Sequence, residues 1–246
     1  MKPARKNLNR REMLRVTSGA IAGWGLSRWA AAADMPEVKL PRATSGDTII
    51  EPDWEQRVTI TVGNRGADLA GESKKPIQAA ADYVARLGGG TVHILAGTYR
   101  MRNAVYLPST VRLLGDGTET LLVKEPSVET TIAADSDWFD QEITLADATG
   151  FEVGDGICIK ADNPHDSGKE VIKRTLVGRS GNRFKLDRAL RNNVWMMKAP
   201  SVSTLFPLVT AEEKANMAIE NLALDGNKEA NAPLDGNYAG NLWFQD

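Results

Sequence analysis

Apolar and polar residues alternate along Arg57-Val58-Thr59-Ile60-Thr61-Val62, a period of two that predicts a strand stopped by Gly63-Asn64. The period then changes. Ile77, Ala80, Ala81, Val84 and Leu87 recur at helical spacing and predict an amphipathic helix over Pro76–Leu87. Ser73 or a neighbour is placed to cap it, and Pro76 falls in the first turn, where its missing N–H is harmless. Gly88-Gly89-Gly90 ends it. Short strands follow at Thr91–Leu95, Ala104–Leu107, Thr110–Leu114 and Thr120–Val123, with breaks at Ala96-Gly97-Thr98, Pro108-Ser109 and Gly115-Asp116-Gly117. One helix followed by many short β segments does not fit a doubly wound α/β fold. A sandwich or a β-solenoid fits the pattern.

Residues 130–200 change style. Ile143-Thr144-Leu145, Ile157-Cys158-Ile159 behind Gly154-Asp155-Gly156, Val171–Val177, and Phe184-Lys185-Leu186 behind the Ser180-Gly181-Asn182 turn predict a second set of strands and hairpins. They read as a small β insert, with irregular coils as the alternative. Met217–Asp225 returns to the earlier style, Gly226-Asn227 is its turn, and Leu242-Trp243-Phe244 begins another strand. Asn221 and Asn227 suit side-chain ladders along a solenoid.

Several of these segments together resemble a known family. They are Ile77-Gln78-Ala79-Ala80, Leu87-Gly88-Gly89-Gly90-Thr91-Val92-His93-Ile94, Ala96-Gly97-Thr98-Tyr99, Val105-Tyr106-Leu107-Pro108-Ser109 and Val111-Arg112-Leu113-Leu114-Gly115-Asp116-Gly117. They look like the opening coils of the pectate lyase-like superfamily, the right-handed parallel β-helix group that includes rhamnogalacturonases, polygalacturonases and epimerase-like proteins. The resemblance covers about residues 57–124 and resumes near 217–246. It implies an all-β, right-handed parallel β-helix with an N-terminal capping helix and a small β insert. The organisation is then a leader over 1–33, a linker over 34–56, a cap and first coils over 57–129, the insert over 130–200 and resumed coils over 201–246. Many members carry an Asp-rich stretch before the helix, where this chain reads Gly71-Glu72-Ser73-Lys74-Lys75. The chain stops at Asp246 in mid-pattern without a polar terminal cap, so it is expected to be the front piece of a longer protein, a complete short protein being the alternative.

Charge divides the chain. Residues 1–33 hold seven basic residues against Glu12, and the rest carries a net charge of −8. An acidic body without a basic stripe argues against nucleic acid as a partner. The leader pairs Arg10 and Arg11 with Leu14 and Arg15, then a mildly apolar stretch broken by Gly19, Gly23 and Gly25, then Ala30-Ala31-Ala32-Ala33. It resembles a twin-arginine export signal cleaved after Ala33. That implies passage through the twin-arginine translocation machinery to the periplasm or the extracellular space. No stretch approaches the roughly 18 to 20 apolar residues of a membrane span, so stable membrane insertion is not expected. The single Cys158 excludes a disulfide framework and a Cys-based zinc module, and His93 and His165 cannot make a three-histidine metal site.

The resemblance implies a secreted protein active on acidic or neutral polysaccharide, either a uronate-polysaccharide lyase or a glycoside hydrolase. A non-catalytic glycan-binding or surface scaffold protein is the alternative. Hydrolysis needs two carboxylates, and lyase chemistry needs a base and a cation. The candidate acids are Asp225, Asp235 and Asp246, although Asp225-Gly226 and Asp235-Gly236 are first of all turn signals, as are Asp116 and Asp155. The catalytic coils are expected beyond Asp246. No resident metal is expected in this chain; Ca2+ bound through Asp and Asn oxygens is the cofactor the family suggests for a longer protein. Tyr238 and Trp243 are candidates for stacking on sugar rings, with Trp138 and Trp195 beside them. His93 reads as a packed or hydrogen-bonded residue and Cys158 as a small buried hydrophobe. The 162–166 stretch reads as a solvated loop.

Overall fold

A computed structural model of the chain describes residues 42–44, 51–162, 168–231 and 242–245. The chain is mostly β. In order, the elements are β1 (Arg42–Thr44), β2 (Val58–Gly63), β3 (Leu69–Ala70), α1 (Lys74–Arg86), β4 (Gly90–Ile94), β5 (Gly97–Met101), β6 (Val105–Tyr106) and β7 (Val111–Lys124). Then come β8 (Glu129–Thr131), β9 (Glu142–Thr144), β10 (Gly156–Asp162), β11 (Lys169–Ser180), β12 (Arg183–Leu186) and β13 (Ser201–Ser203). The last are β14 (Val209–Glu212), β15 (Ala218–Asp225) and β16 (Leu242–Gln245).

Three parallel ladders enclose one core. In the first, Ile60, Val92, Leu113 and Ile219 lie side by side on β2, β4, β7 and β15. In the second, Tyr99, Leu122 and Leu224 do so on β5, the far half of β7 and the far half of β15. In the third, Val105, Val209 and Leu242 do so on β6, β14 and β16. The chain visits the ladders in the same order three times, so like residues stack and their side chains meet in a single apolar cluster. Tyr99 is fully buried within it, and its hydroxyl donates to the Leu95 and Val62 carbonyls.

The corners between ladders carry polar residues that bond to the neighbouring pass. Asn221 and Asn227 adopt left-handed backbone with φ of 52° and 46°. Their amides donate to the Gly115 and Lys124 carbonyls, each at 3.0 Å. This is the structural use expected for both. Asp116 accepts from the Ala96 N–H at 2.9 Å and lies 2.6 Å from His93 Nε2. His93 is thus hydrogen-bonded, as the sequence suggests.

Helix α1 buries Ile77, Ala80, Ala81 and Val84 against β2, β4 and β6. It starts two residues earlier than the spacing predicts, and Ser73 occupies the cap position without a side-chain bond. It also ends one residue earlier. Leu87 is therefore not part of the apolar face and is 56% exposed. A Cβ on Gly89 would lie 2.2 Å from the Thr110 carbonyl oxygen, and one on Gly90 would lie 2.3 Å from that of Val58. Only glycine permits this close entry into the first ladder.

Two of the expected breaks are strand. β5 begins at Gly97, and β7 runs through Gly115-Asp116-Gly117 as one element. The Gly-Asp-Gly signal marks the bend at which β7 passes from the first ladder to the second: pairing with β4 ends at Gly115, pairing with β5 starts at Thr120, and the register with β15 shifts between them.

Between β7 and β14 the chain builds a different sheet. Its order is β8-β13-β10-β11-β12-β9, with every pair antiparallel. Ile143, Ile159, Leu176, Phe184 and Val202 form its own apolar core. The β11–β12 hairpin turns on Gly181-Asn182, with Gly181 at φ 61°. Cys158 is 2% exposed, and burial pushes its thiol up to about 11, as suits a small hydrophobe. Asp155 is more than the turn residue its Asp-Gly context suggests. It is 1% exposed and takes both Arg102 Nε and Nη2, at 2.7 and 2.8 Å. Arg102 follows β5, so this bidentate pair links the ladders to the second sheet.

Candidate functional site

A groove of about 390 Å³ runs beside the third ladder, where it faces β11 and the segment after β12. Its floor follows from strand alternation. Val209 and Ala211 of β14 point into the core, so Thr210 and Glu212 point outward, and Tyr106 of β6 stands beside Thr210 in register. Gln78 of α1 fixes the free edge of β6. It accepts from the Tyr106 N–H at 2.8 Å and donates to the Tyr106 carbonyl at 2.9 Å, as a neighbouring strand would. The Lys74 ammonium sits 5.4 Å from the centre of the Tyr106 ring.

The opposite wall comes from the second sheet. Thr175 Oγ1 lies 3.0 Å from the Tyr106 hydroxyl, and the Thr175 N–H donates to Asp187 at 2.7 Å. Arg188 lies 3.5 Å from both Asp187 and Glu212, with its side chain 55% exposed. Lys214 lines the groove, and Lys173 and Arg174 line a smaller cavity of about 30 Å³ that shares Tyr106, Arg188, Thr210 and Glu212 with it. Arg174 donates to the Arg188 and Ala189 carbonyls and so holds that segment in place. Burial lowers Lys173, an effect that Glu212 opposes, and burial also raises the Tyr106 hydroxyl. Tyr106 therefore acts as a neutral hydrogen-bonding group at neutral pH. Arginine, lysine, the three carboxylates Asp82, Asp187 and Glu212, and a phenol along an open trough can hold a chain of hydroxyls and carboxylates.

None of the described residues singled out in the sequence lines this groove. Asp225 is an exposed turn carboxylate that accepts from the Asn227 N–H at 2.7 Å. Asp235, Tyr238 and Asp246 lie outside the described residues, as do Arg10, Arg11, Leu14, Arg15, Ala33 and the side chain of Trp243. Of the 162–166 stretch only Asp162 is described, paired with Lys169. Trp138 is exposed and Trp195 half-buried, and Trp195 Nε1 donates to Asp137, the neighbour of Trp138. Among the described residues no three His, Cys, Asp or Glu side chains are gathered as a metal site. The groove residues carry no local motif. Their positions run from 82 to 214, and the pairing of β6 with β14 and the return of the chain after β12 bring them together.

No protein-family model and no curated protein matches the chain. Three solved structures are similar over part of it. The Gp54 tailspike of Acinetobacter baumannii bacteriophage AP22, in complex with A. baumannii capsular saccharide, is 16% identical over 55% of this chain and 26% of its own, with a TM-score of 0.30. The tailspike gp61 of Pseudomonas phage phi297 is 15% identical over 58% and 27%, with a TM-score of 0.31. The tailspike gp49 of Pseudomonas phage LKA1 is 14% identical over 56% and 26%, with a TM-score of 0.28. The chain thus spans about a quarter of the length of these structures.

Proposed function

We propose that the chain is part of an exported, right-handed parallel β-helix protein that binds polysaccharide along the groove between Tyr106, Arg188 and Glu212. Ladders visited three times in one order support the β-helix. The observation that carries the binding reading is the lining of the groove. The half-exposed Arg188 and Lys214 offer partners for sugar carboxylates, and Asp187 and Glu212 accept sugar hydroxyls. Cleavage is the finer reading. It is favoured by the presence of Asp187 and Glu212 in one open trough, since hydrolysis of a glycosidic bond uses two carboxyl groups. Export rests on the Arg10-Arg11 leader.

The test is direct. The purified chain is expected to bind polygalacturonate or alginate, more weakly as salt rises across the range from about 50 to 300 mM. Arg188→Gln should lower that affinity about fivefold or more. Absence of binding to either polymer, or full affinity in Arg188→Gln, refutes the reading. Release of reducing ends or unsaturated uronates from the same polymers separates a cleaving protein from a binding one.

A further inference from the structure

The end of the second sheet carries a feature that the groove does not use. Residues 135–140 run beside 190–196, tied by the Ser136–Val194 bridge. Two rings stand out from this corner. Trp138 is 47% exposed and Phe139 is 73% exposed, their centroids 5.9 Å apart and their planes at 68°. Such large apolar side chains in solvent mark contact surfaces. Phe139 is moreover held at φ 79°, a left-handed conformation that a bulky residue adopts only when its surroundings impose it.

The surroundings do impose it. The Phe139 N–H donates to the Leu190 carbonyl at 3.1 Å, and the Trp138 N–H donates to Asn193 Oδ1 at 2.8 Å. Three carboxylates complete the frame. Asp140 accepts from the Asp137 N–H at 2.7 Å, Asp137 from Trp195 Nε1 at 2.6 Å, and Asp135 from the Met196 N–H at 2.6 Å. Each of the three spends one oxygen on the loop and has no second donor among the described residues. The corner is therefore rigid, aromatic in the middle and rich in hydrogen-bond acceptors at the rim.

We propose that this ledge is a second saccharide site, specific for neutral sugar rings. The proposal rests on the polysaccharide reading and adds the class of sugar and where it sits. A pyranose ring presents an apolar C–H face and a rim of hydroxyl donors, which matches flat rings bordered by carboxylate acceptors. A uronate would meet Asp135, Asp137 and Asp140. The nearby cations are Arg191 and Lys198, the latter 3.5 Å from Glu170, donating to the Asn193 carbonyl and 5.7 Å from the Trp195 ring, and the three carboxylates outnumber them. The ledge thus selects against the charge that the groove accepts, and a polymer with both sugar types engages both sites.

Calorimetric titration of the full chain with cellohexaose, maltohexaose and xylohexaose, and with oligogalacturonate, tests this. At least one neutral oligosaccharide should bind, with little salt dependence. Trp138→Ala and Phe139→Gly should each weaken that binding about tenfold while leaving oligogalacturonate binding unchanged, and Trp138→Phe should retain most of it. Arg188→Gln should do the opposite. If no neutral oligosaccharide binds, or if both ledge variants bind it like the parent chain, the ledge proposal falls. Retained oligogalacturonate binding would then leave the groove reading standing, whereas loss of both ligands would remove the two together.

Discussion

The two halves of the described fold make their cores in opposite ways. Around Tyr99 and Leu113, neighbours in space come from successive passes of the chain, and Leu113 touches register partners on β4 and β15 that are far apart in sequence. Around Phe184 and Leu176, much of the pairing is local, as β10, β11 and β12 fold back on one another in order. Neighbouring passes of the ladders are held in register partly by polar corner residues such as Asn221 and Asn227, whereas the β11–β12 hairpin is held by its turn. Long-range parallel pairing closes large loops before it gains contacts, so the antiparallel sheet is expected to form first.

Four substitutions sharpen or break this contrast. The largest effect is expected from Phe184→Ala, which empties the centre of the second core at a cost of about 3–5 kcal/mol. If the cores are separate cooperative units, hydrogen exchange will show β10–β12 amides opening while β4 and β7 stay protected. Uniform loss of protection would mean one unit. Asp155→Asn comes next, at about 2–3 kcal/mol. It leaves Arg102, itself partly exposed, without its bidentate partner at the junction of the two regions. Urea denaturation should then resolve two transitions where the parent chain shows one. A single transition in the variant would show that Arg102 and Asp155 do not couple the regions.

Lys124 tests the ladders alone. It is 2% exposed at the end of β7, opposite Met101, and burial lowers its ammonium to about 8 from an ordinary value of 10.5. Its folded value lies below its unfolded one, so the cost of burying the charge is fully present below pH 8. That cost is relieved as pH rises from about 8 towards 10.5, where the unfolded chain still holds the proton. Lys124→Met should therefore stabilise the chain by about 2 kcal/mol at neutral pH. The gain should shrink between pH 8 and 10.5, as read from urea midpoints. A gain independent of pH would refute the assignment. The smallest effect belongs to the second sheet. Phe139→Gly relieves the left-handed strain and should raise stability by about 1 kcal/mol, measured by thermal unfolding, even as it removes the ring from the ledge.

Elements whose cause lies within a few residues were legible in the sequence. The spacing of Ile77, Ala80, Ala81 and Val84 predicts α1, and Gly181-Asn182 predicts its hairpin. The corners are not legible locally, because Gly115-Asp116-Gly117 is a generic turn signal. Only the neighbouring strands β5 and β15 convert it into a bend within a continuous strand. Spacing alone puts Leu87 on the buried face, but the Gly-rich cap ends the helix before it can turn inward. Asp155 looked like any Asp-Gly turn because its partner Arg102 lies in a distant segment. The groove was invisible for the same reason: Tyr106, Lys173, Arg188 and Glu212 share a wall and no motif. Trp138 was legible as an aromatic, but its exposure depends on the bond between the Phe139 N–H and Leu190.

One small knot of bonds has a further consequence. The Val128 N–H donates to Thr204 Oγ1 at 2.8 Å, the Thr204 N–H donates to the Val128 carbonyl at 2.9 Å, and Ser127 Oγ donates to the Thr204 carbonyl at 2.9 Å. The chain therefore leaves the ladders and rejoins them through a single stapled doorway. Whatever is threaded between Val128 and Thr204 enters and exits at fixed points, and the stacking of β6 on β14 is indifferent to its length. The stretch between Val128 and Thr204 can therefore lengthen or shorten without re-aligning the ladders, as long as the Arg102–Asp155 pair is kept.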